Sequence, residues 1–139
     1  MKIKLEPGAT LPTKAHPTDA GYDLYANEDA QIKPHETRPT HTGIHLQIPD
    51  GYFGAVFARS GLATKQGLRP ANCVGVIDSD YRGEIIVALH NDSDELRNVA
   101  KGDRIAQLVI LPCPHFELEL ADELDETKRG AGGFGSSGK

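Results

Sequence analysis

Sulfur-bearing and bulky aromatic residues are scarce in this 139-residue sequence, which has no tryptophan, one methionine and two cysteines. Cys73 and Cys113 lack the CxxC spacing of a zinc site, and a single pair makes no disulfide framework, so we expect two reduced thiols. Long apolar runs are also missing, and none approaches the roughly 18 residues of a membrane-spanning helix. Residues 1–4 lack the apolar core of a signal peptide. These absences predict a cytoplasmic protein that does not bind membranes.

The sequence has fewer basic than acidic residues: fifteen Lys and Arg against twenty Asp and Glu, for a net charge of -5. Nucleic-acid binding depends on a basic surface, so this balance argues against it. A small anionic ligand remains compatible if local cationic groups, backbone N–H donors or a divalent cation offset the negative field. The six histidines form no HExxH motif. A metal site at His41 and His45, which at most share a strand face, is not favoured.

Short alternating apolar segments fill most of the chain, whereas long helical periodicity is missing. Turns rich in proline and glycine separate these segments. The segments that predict strands are 2–5, 22–26, 43–48, 52–58, 74–77, 85–89, 104–110 and 115–120. Many short strands in a chain of single-domain length predict an all-β sandwich or barrel.

The connections between these segments carry further expectations. The turn Pro49-Asp50-Gly51 predicts that the strands on either side of it form a hairpin. The polar residues 78–84 predict a tight turn between the two strands that flank them. A short helical turn is expected at residues 62–66 and a loop at residues 67–71.

Asp78 is the first candidate catalytic residue, because it follows directly after the apolar run 74–77. A carboxylate at the end of a strand is held by a rigid sheet and can take a proton from water in a cleft. Asp78-Ser79-Asp80 is also ordinary turn chemistry, since short polar side chains hydrogen-bond their own backbone. The stretch alone leaves both interpretations open and favours the structural one.

Polar groups with possible ligand contacts occur at three other places. Arg59-Ser60-Gly61 follows a strand and offers a guanidinium, a hydroxyl and an open backbone N–H to an anion, although most such tripeptides are surface turns. Asp23 lies in mid-strand, where a charge faces either a cleft or solvent. Gln107 interrupts an apolar run, and its amide must hydrogen-bond either to the fold or to a ligand.

The chain changes character after residue 121, where an acidic stretch leads into the glycine-rich residues 128–139. Such a composition cannot hold a packed element, which predicts a core at residues 1–121 and a flexible arm at residues 122–139. The arm could alternatively close over a ligand, with Phe134 stacked on a planar base and Arg129 and Ser136 near phosphates.

Five motifs in their order along the chain resemble those of the trimeric dUTP diphosphatases (dUTPases). They are AGYDLYA at 20–26, RSGLA at 59–63, GVIDSDYRGE at 75–84, GDRIAQL at 102–108 and RGAGGFGSSG at 129–138. Two departures are visible, because Ala58 stands where proline is common and Ser137 where threonine is usual. Each keeps the chemistry that the position needs, and the resemblance covers nearly the whole chain.

The resemblance implies a jelly-roll or β-clip barrel that assembles as a homotrimer with active sites at the subunit interfaces. The glycine-rich tail of a neighbouring subunit would close each site. The implied reaction is the Mg²⁺-dependent hydrolysis of dUTP to dUMP and pyrophosphate, by attack of an activated water on the α-phosphorus. This reaction would limit uracil incorporation into DNA and supply dUMP for thymidylate synthesis.

The resemblance also implies a role for individual residues. Asp78 would hold the attacking water, Tyr81 would pack against the deoxyribose and Asn72 would read uracil. Asp23 would hold magnesium through a water molecule. Further nucleoside contacts would come from Val76, Ile77 and Ile86, phosphate contacts from Arg59, Ser60, Gly61 and Gln107, and closing contacts from Arg129, Phe134, Gly135, Ser136 and Ser137.

Two alternatives stay open at this point. A dCTP deaminase resembles a dUTPase in fold, but the complete tail around Phe134 favours the hydrolase. A non-catalytic dUTPase-like module that binds a nucleotide or a protein partner is the other alternative. The presence of Asp78, Tyr81, Arg59 and Gln107 together favours an enzyme.

Overall fold

Short antiparallel strands make up most of the regular secondary structure in the computed structural model, which describes residues 1–133. The strands are β1 (Lys2–Leu5), β2 (Tyr22–Tyr25), β3 (Ala30–Ile32), β4 (Thr37–His41), β5 (Ile44–Gln47), β6 (Tyr52–Phe57), β7 (Leu68–Pro70), β8 (Val74–Ile77), β9 (Ile86–Asn91), β10 (Arg97–Val99) and β11 (Arg104–Pro112). A short helix, α1 (Ser60–Gln66), follows β6. No helix in the described part of the chain is both long and apolar enough to cross a bilayer.

The strands form four small sheets. One sheet has the order β2-β11-β6-β8 and another the order β4-β9-β7, while β1 pairs with β5 and β3 pairs with β10. Neighbours in the sheets are mostly distant in sequence, so the chain crosses repeatedly between sheets. The expected all-β jelly-roll architecture is confirmed.

The core is a single apolar cluster to which all four sheets contribute. Its fully buried members include Leu24, Ile32, Ile44, Leu89 and Ile105. Alternation explains the selection, because every second side chain of a strand points to the same face. In β2 this rule buries Leu24 and leaves its neighbours partly exposed at the protein surface.

Two turns were predicted to join strands that pair with each other, but in the structure each turn joins strands of different sheets. β5 pairs with β1, whereas β6 pairs with β11 and β8, so the hairpin expected around Pro49-Asp50-Gly51 is wrong. β8 pairs with β6, whereas β9 pairs with β4 and β7. The turn at residues 78–84 therefore joins two sheets, and the space between them is open at this point.

Of the two predictions for residues 62–71, the helical turn is correct and the loop is correct only in part. The helical turn is confirmed, and Gly67 ends it with a left-handed φ of 68°. The loop expected after it is wrong in part, because residues 68–70 form β7 against β9. Apolar alternation over three residues is too short to distinguish such a strand from a loop.

The last expected strand, at residues 115–120, is absent. Phe116 is 82% exposed, and Leu118 and Leu120 are fully exposed. A strand needs a partner for its backbone donors and acceptors. The described part of the chain offers no partner strand to this segment, so its alternating pattern leaves apolar side chains in solvent.

Candidate active site

A cleft of about 300 Å³ opens where β8 and β9 diverge into their separate sheets. Its walls come from strand residues of β6, β8 and β9, and its polar groups come from the turns that flank β8. The structure brings together here six of the residues singled out in the sequence. The lining residues are Val56, Pro70, Asn72, Gly75, Val76, Ile77, Asp78, Tyr81, Glu84, Ile86, Val87 and Ala88.

A tight turn before β8 places Asn72 at the cleft. Cys73 takes a left-handed φ of 61°, and its N–H donates to Pro70 O at 3.2 Å. A positive φ is uncommon for a residue other than glycine and often occurs at functional sites. Gly75 keeps the floor open, because a Cβ there would lie 3.2 Å from the Val56 Cβ and 3.5 Å from Asn72 Nδ2.

The turn after β8 presents Asp78 and Tyr81. Asp78 is exposed at the end of the strand, so its carboxylate is accessible to water. Tyr81 N–H donates to Asp78 O at 3.2 Å, and Tyr81 Oη donates to Glu84 O at 3.0 Å. A Cβ at Gly83 would overlap the Tyr81 ring. Glycine at this position therefore allows the tyrosine to fold back across its own turn.

Glu84 also lines the cleft, although the sequence analysis assigned it no role. Its carboxylate accepts from Gly43 N–H at 2.7 Å and is paired with His41 Nδ1 at 2.7 Å. Burial alone would raise the pKa of Glu84, but the hydrogen bonds from His41 and Gly43 outweigh it and lower that pKa. The carboxylate is thus held in its charged form beside the cleft.

A second, more open cleft of about 610 Å³ lies beside α1. It collects five further candidate residues, namely the mid-strand aspartate, the Arg-Ser-Gly tripeptide and the glutamine of β11. The lining residues are Ala15, Asp19, Ala20, Gly21, Asp23, Arg59, Ser60, Gly61, Leu62, Lys65, Gln66, Arg104 and Gln107. We call this region the cradle.

Asp23 organises the cations of the cradle. Arg59 Nε donates to Asp23 Oδ1 at 2.8 Å, and Arg104 Nη1 donates to Asp23 Oδ2 at 3.2 Å. The sequence analysis did not select Arg104 and Lys65, which also line the cradle. The signal for Arg104 was available, since a charge in mid-strand requires a partner. With these groups the cradle carries an excess of positive charge within an acidic protein.

The side-chain amide of Gln107, in β11, hydrogen-bonds to the fold. It pairs with Asp23 of β2 in the strand register, and its Nε2 donates to Ala58 O at 2.9 Å. A Cβ at Gly21 would lie 2.8 Å from Gln107 Oε1, so glycine leaves room for the amide. The donor half of this amide is used by the fold, and the residue still lines the cradle.

Asp78 and Arg59 lie level with opposite ends of β6, although the cleft that Asp78 lines also reaches Val56 near the Arg59 end. Ile77 pairs with Gly54, which places Asp78 level with Phe53, whereas Arg59 follows the other end of the strand. At about 3.3 Å per residue, the offset from Phe53 to Arg59 separates the backbone positions of Asp78 and Arg59 by roughly 20 Å along the strand. Asp78 and Arg59 of one chain therefore cannot contact the same phosphate group.

The remaining candidates are not brought to either site in the described chain. Arg129 Nε donates to Gly132 O at 2.8 Å in the exposed C-terminal segment. Phe134, Gly135, Ser136 and Ser137 lie outside the described residues. Within residues 1–133 no cluster of three or more His, Cys, Asp or Glu side chains is placed to hold a metal ion, and both cysteines are free thiols.

Comparison with known proteins assigns the family. The family model described as dUTPase matches residues 8–138, which is almost the entire chain. The chain belongs to the dUTPase family. The membership that the five motifs predicted is thereby confirmed.

Relatives and solved structures of the dUTPase family agree along the full length of the chain. The deoxyuridine 5'-triphosphate nucleotidohydrolase of Desulfitobacterium hafniense (strain DSM 10664 / DCB-2) is 52% identical over 139 residues, which cover 98% of this chain and 92% of that protein. The protein of that name from Picosynechococcus sp. is 45% identical over 136 residues, or 98% of this chain and 96% of that protein.

Among solved structures, the Staphylococcus bacteriophage 80alpha dUTPase with dUPNHPP has a TM-score of 0.92 at 32% identity, covering 99% of this chain and 98% of that one. A point mutant of the phage phi11 dUTPase of S. aureus, in which a structural Mg(II) ion is coordinated, has a TM-score of 0.80 at 30% identity, with coverages of 88% and 96%.

Proposed function

We propose that this chain is a dUTP diphosphatase that hydrolyses dUTP to dUMP and pyrophosphate. The observation that carries the proposal is the cleft, where Asn72, Asp78 and Tyr81 meet in a space of about 300 Å³. The names of the relatives support the same reaction, and the 80alpha dUTPase is described with the nucleotide dUPNHPP.

In this proposal Asp78 is the general base. Its exposed carboxylate accepts a proton from a water molecule, and the water oxygen attacks the α-phosphorus. The bond from the α-phosphorus to the bridging oxygen breaks, so that pyrophosphate leaves and dUMP remains. General-base catalysis by a positioned carboxylate contributes about 10²–10⁴-fold to the rate.

The other groups of the cleft select the nucleoside. The Asn72 amide has one donor side and one acceptor side, which suits the mixed donor and acceptor edge of uracil. Tyr81 folds over Gly83 and lines the cleft. In this proposal its ring packs against the deoxyribose, where a ribose 2′-hydroxyl would clash with it. Val76, Ile77 and Ile86 provide the apolar walls.

The cradle supplies the charge that a triphosphate requires. Arg59, Arg104 and Lys65 line it together with Ser60, and Gly61 has nothing within 4 Å of a Cβ position. A phosphate oxygen can therefore approach the backbone N–H of Gly61 closely. Arginine adds paired donors whose geometry matches phosphate.

The donor set of the cradle fits a magnesium ion held mainly by the substrate. Mg²⁺ retains several waters and is usually bound by one or two carboxylates together with substrate phosphates. Each Asp23 oxygen accepts one arginine hydrogen bond, which leaves acceptor capacity for a coordinated water. Asp23 would hold such an ion through water, and the ion would neutralise charge on the phosphates.

We also propose a homotrimer with active sites between subunits. Support comes from the separation of about 20 Å between Asp78 and Arg59 within one chain, estimated from the strand rise. A cleft and a cradle from different copies can meet at one nucleotide. Exposure of Phe116, Leu118 and Leu120 gives further support, because a neighbouring subunit would cover them.

The expected arm at residues 122–139 completes this proposal as the segment that closes the site. Arg129, Phe134, Gly135, Ser136 and Ser137 would contact the nucleotide of another subunit. The boundary at residues 121 and 122 stays a prediction, and so does the cytoplasmic location.

The test is pyrophosphate release with magnesium from dUTP, dTTP, dCTP and UTP, measured in parallel. The proposal expects release from dUTP and little from the other three. Ammonia production from dCTP would instead indicate the deaminase. Tight binding of dUTP without pyrophosphate release would indicate the non-catalytic module.

A further inference from the structure

The turn that carries Asp78 and Tyr81 is tied to β5 and to the residues that precede it. Ile85 N–H donates to Ile44 O at 2.8 Å. Glu84, which accepts the hydroxyl of Tyr81 at its backbone oxygen, is held through its carboxylate by Gly43 N–H and His41. The position of Tyr81 in the cleft is therefore determined by contacts that lie outside the cleft.

His45 of β5 is the second contact to this turn. Its Nδ1 lies 3.0 Å from Arg82 O, and its Nε2 lies 3.0 Å from Glu6 Oε1. Both partners are acceptors, and a neutral imidazole has only one N–H. The two hydrogen bonds can exist together only when His45 is protonated.

We propose that His45 is a positioning residue for nucleotide selection, which in its protonated form links Glu6 to Arg82 and so holds Tyr81 against the sugar. The inference rests on the proposed function and deepens it. His45 does not line the cleft. It acts through the residue next to Tyr81 in the chain.

The charged groups around both imidazoles favour protonation. His45 faces Glu6 and, less favourably, Lys4; the backbone hydrogen bond to Arg82 and the bond to Glu6 raise its pKa above the ordinary 6.5. The pKa of His41 is raised by its hydrogen bond to Glu84 and by the charges of Glu84, Glu28 and Glu6.

The sign of the pH dependence follows from these raised values. A group whose pKa rises on folding contributes its full stabilisation below its ordinary pKa and loses it as the pH passes the raised value. Above that pH, neutral His45 has one N–H for two acceptors, so the link from Glu6 to Arg82 is broken at one end or the other. We therefore expect Tyr81 to be held less firmly, and deoxynucleotide binding to weaken, as the pH rises.

Glu6→Gln separates this role from a purely structural one. The glutamine amide can donate to neutral His45 Nε2 and can also accept from the protonated form. This variant keeps both hydrogen bonds at high pH, so its nucleotide affinity should vary little with pH. His45→Asn keeps a donor near Arg82 O without titrating, whereas His45→Val removes both bonds.

The experiment measures the Kd of the imido analogue dUPNHPP and the KM for dUTP from about pH 6 to about pH 9, the range over which histidine titrates. Because one hydrogen bond is lost, Kd of the unaltered protein should rise roughly three- to tenfold across this range. The rise should be less than about twofold for Glu6→Gln, and His45→Val should show the weak value throughout.

His35→Asn is the matched control, because His35 is paired with Asp94 at 2.9 Å and lines neither the cleft nor the cradle. It should follow the pH profile of the unaltered protein. His45→Val should also lower the preference for dUTP over UTP, which a general loss of stability would not do.

Identical pH profiles for the unaltered protein and Glu6→Gln, or unchanged selectivity in His45→Val, would overturn the inference. Its failure is distinct from failure of the proposed function. A protein that binds dUPNHPP with the expected pH dependence but releases no pyrophosphate would reject the hydrolase and retain the role of His45.

Discussion

Gly83→Ala is the substitution that tests the geometry of the cleft most directly. A Cβ at this position would overlap the hydroxyl and ring of Tyr81. The backbone cannot yield easily, because Ile85 N–H is fixed to Ile44 O at 2.8 Å. Tyr81 must therefore rotate away and lose its hydrogen bond to Glu84 O.

The size of the effect follows from these contacts. The lost hydrogen bond lowers the free energy of unfolding by about 1 kcal/mol. If the displaced ring no longer packs on the sugar, a similar loss in binding raises KM for dUTP by roughly fivefold, since 1.4 kcal/mol corresponds to a factor of ten. Discrimination against UTP should fall as well, because the group that meets the 2′-hydroxyl has moved.

The assay compares KM for dUTP and for UTP with the free energy of unfolding from urea titration. Gly51→Ala is the matched control, because Gly51 has a φ of 77° and open space around its Cβ position. It should cost about 1 kcal/mol of stability through backbone strain and leave both KM values unchanged. If Gly83→Ala retains its KM and its discrimination against UTP, Tyr81 does not form the sugar-binding wall.

Three further outcomes are expected. Asp78→Asn should bind dUPNHPP normally while turnover falls by about 10²–10⁴-fold, and a fully active variant would remove Asp78 from the base role. Asp23→Ala should weaken dUPNHPP binding in the presence of magnesium by roughly tenfold, because Arg59 and Arg104 lose their shared acceptor; equal Kd values would show that Asp23 neither orients them nor holds the ion. Deletion of residues 129–139 should abolish most pyrophosphate release without altering the oligomer seen by size-exclusion chromatography, and normal release would exclude a closing role.

Much of the fold could be predicted because its signals are local. Alternation identified residues 22–26 as a strand, which the structure shows as β2, and the glycine at residue 67 agrees with the end of α1. The ordered motifs identified the family. They also selected six residues that the structure then places in one cleft, from Asn72 to Ile86.

The features that could not be predicted from the sequence depend on contacts between residues that are distant in the chain. Residues 49–51 specify a turn wherever they occur, but the partner of β5 is β1, some forty residues away. Residues 115–120 alternate like a strand and have no partner within the described chain. Glu84 became visible as a site residue only when its partner His41 was in place.

The sequence by itself determined seven of the strands, β1, β2, β5, β6, β8, β9 and β11, and it determined which chemical groups are available. These properties depend on residues close together in the chain. The tertiary structure alone decided that the turn after β8 joins two sheets and leaves a cleft. It also decided that Asp78 and Arg59 lie at opposite ends of β6, and that His45 contacts two acceptors. Such relations arise from strand pairing between distant segments, and local patterns carry no information about which strands will pair.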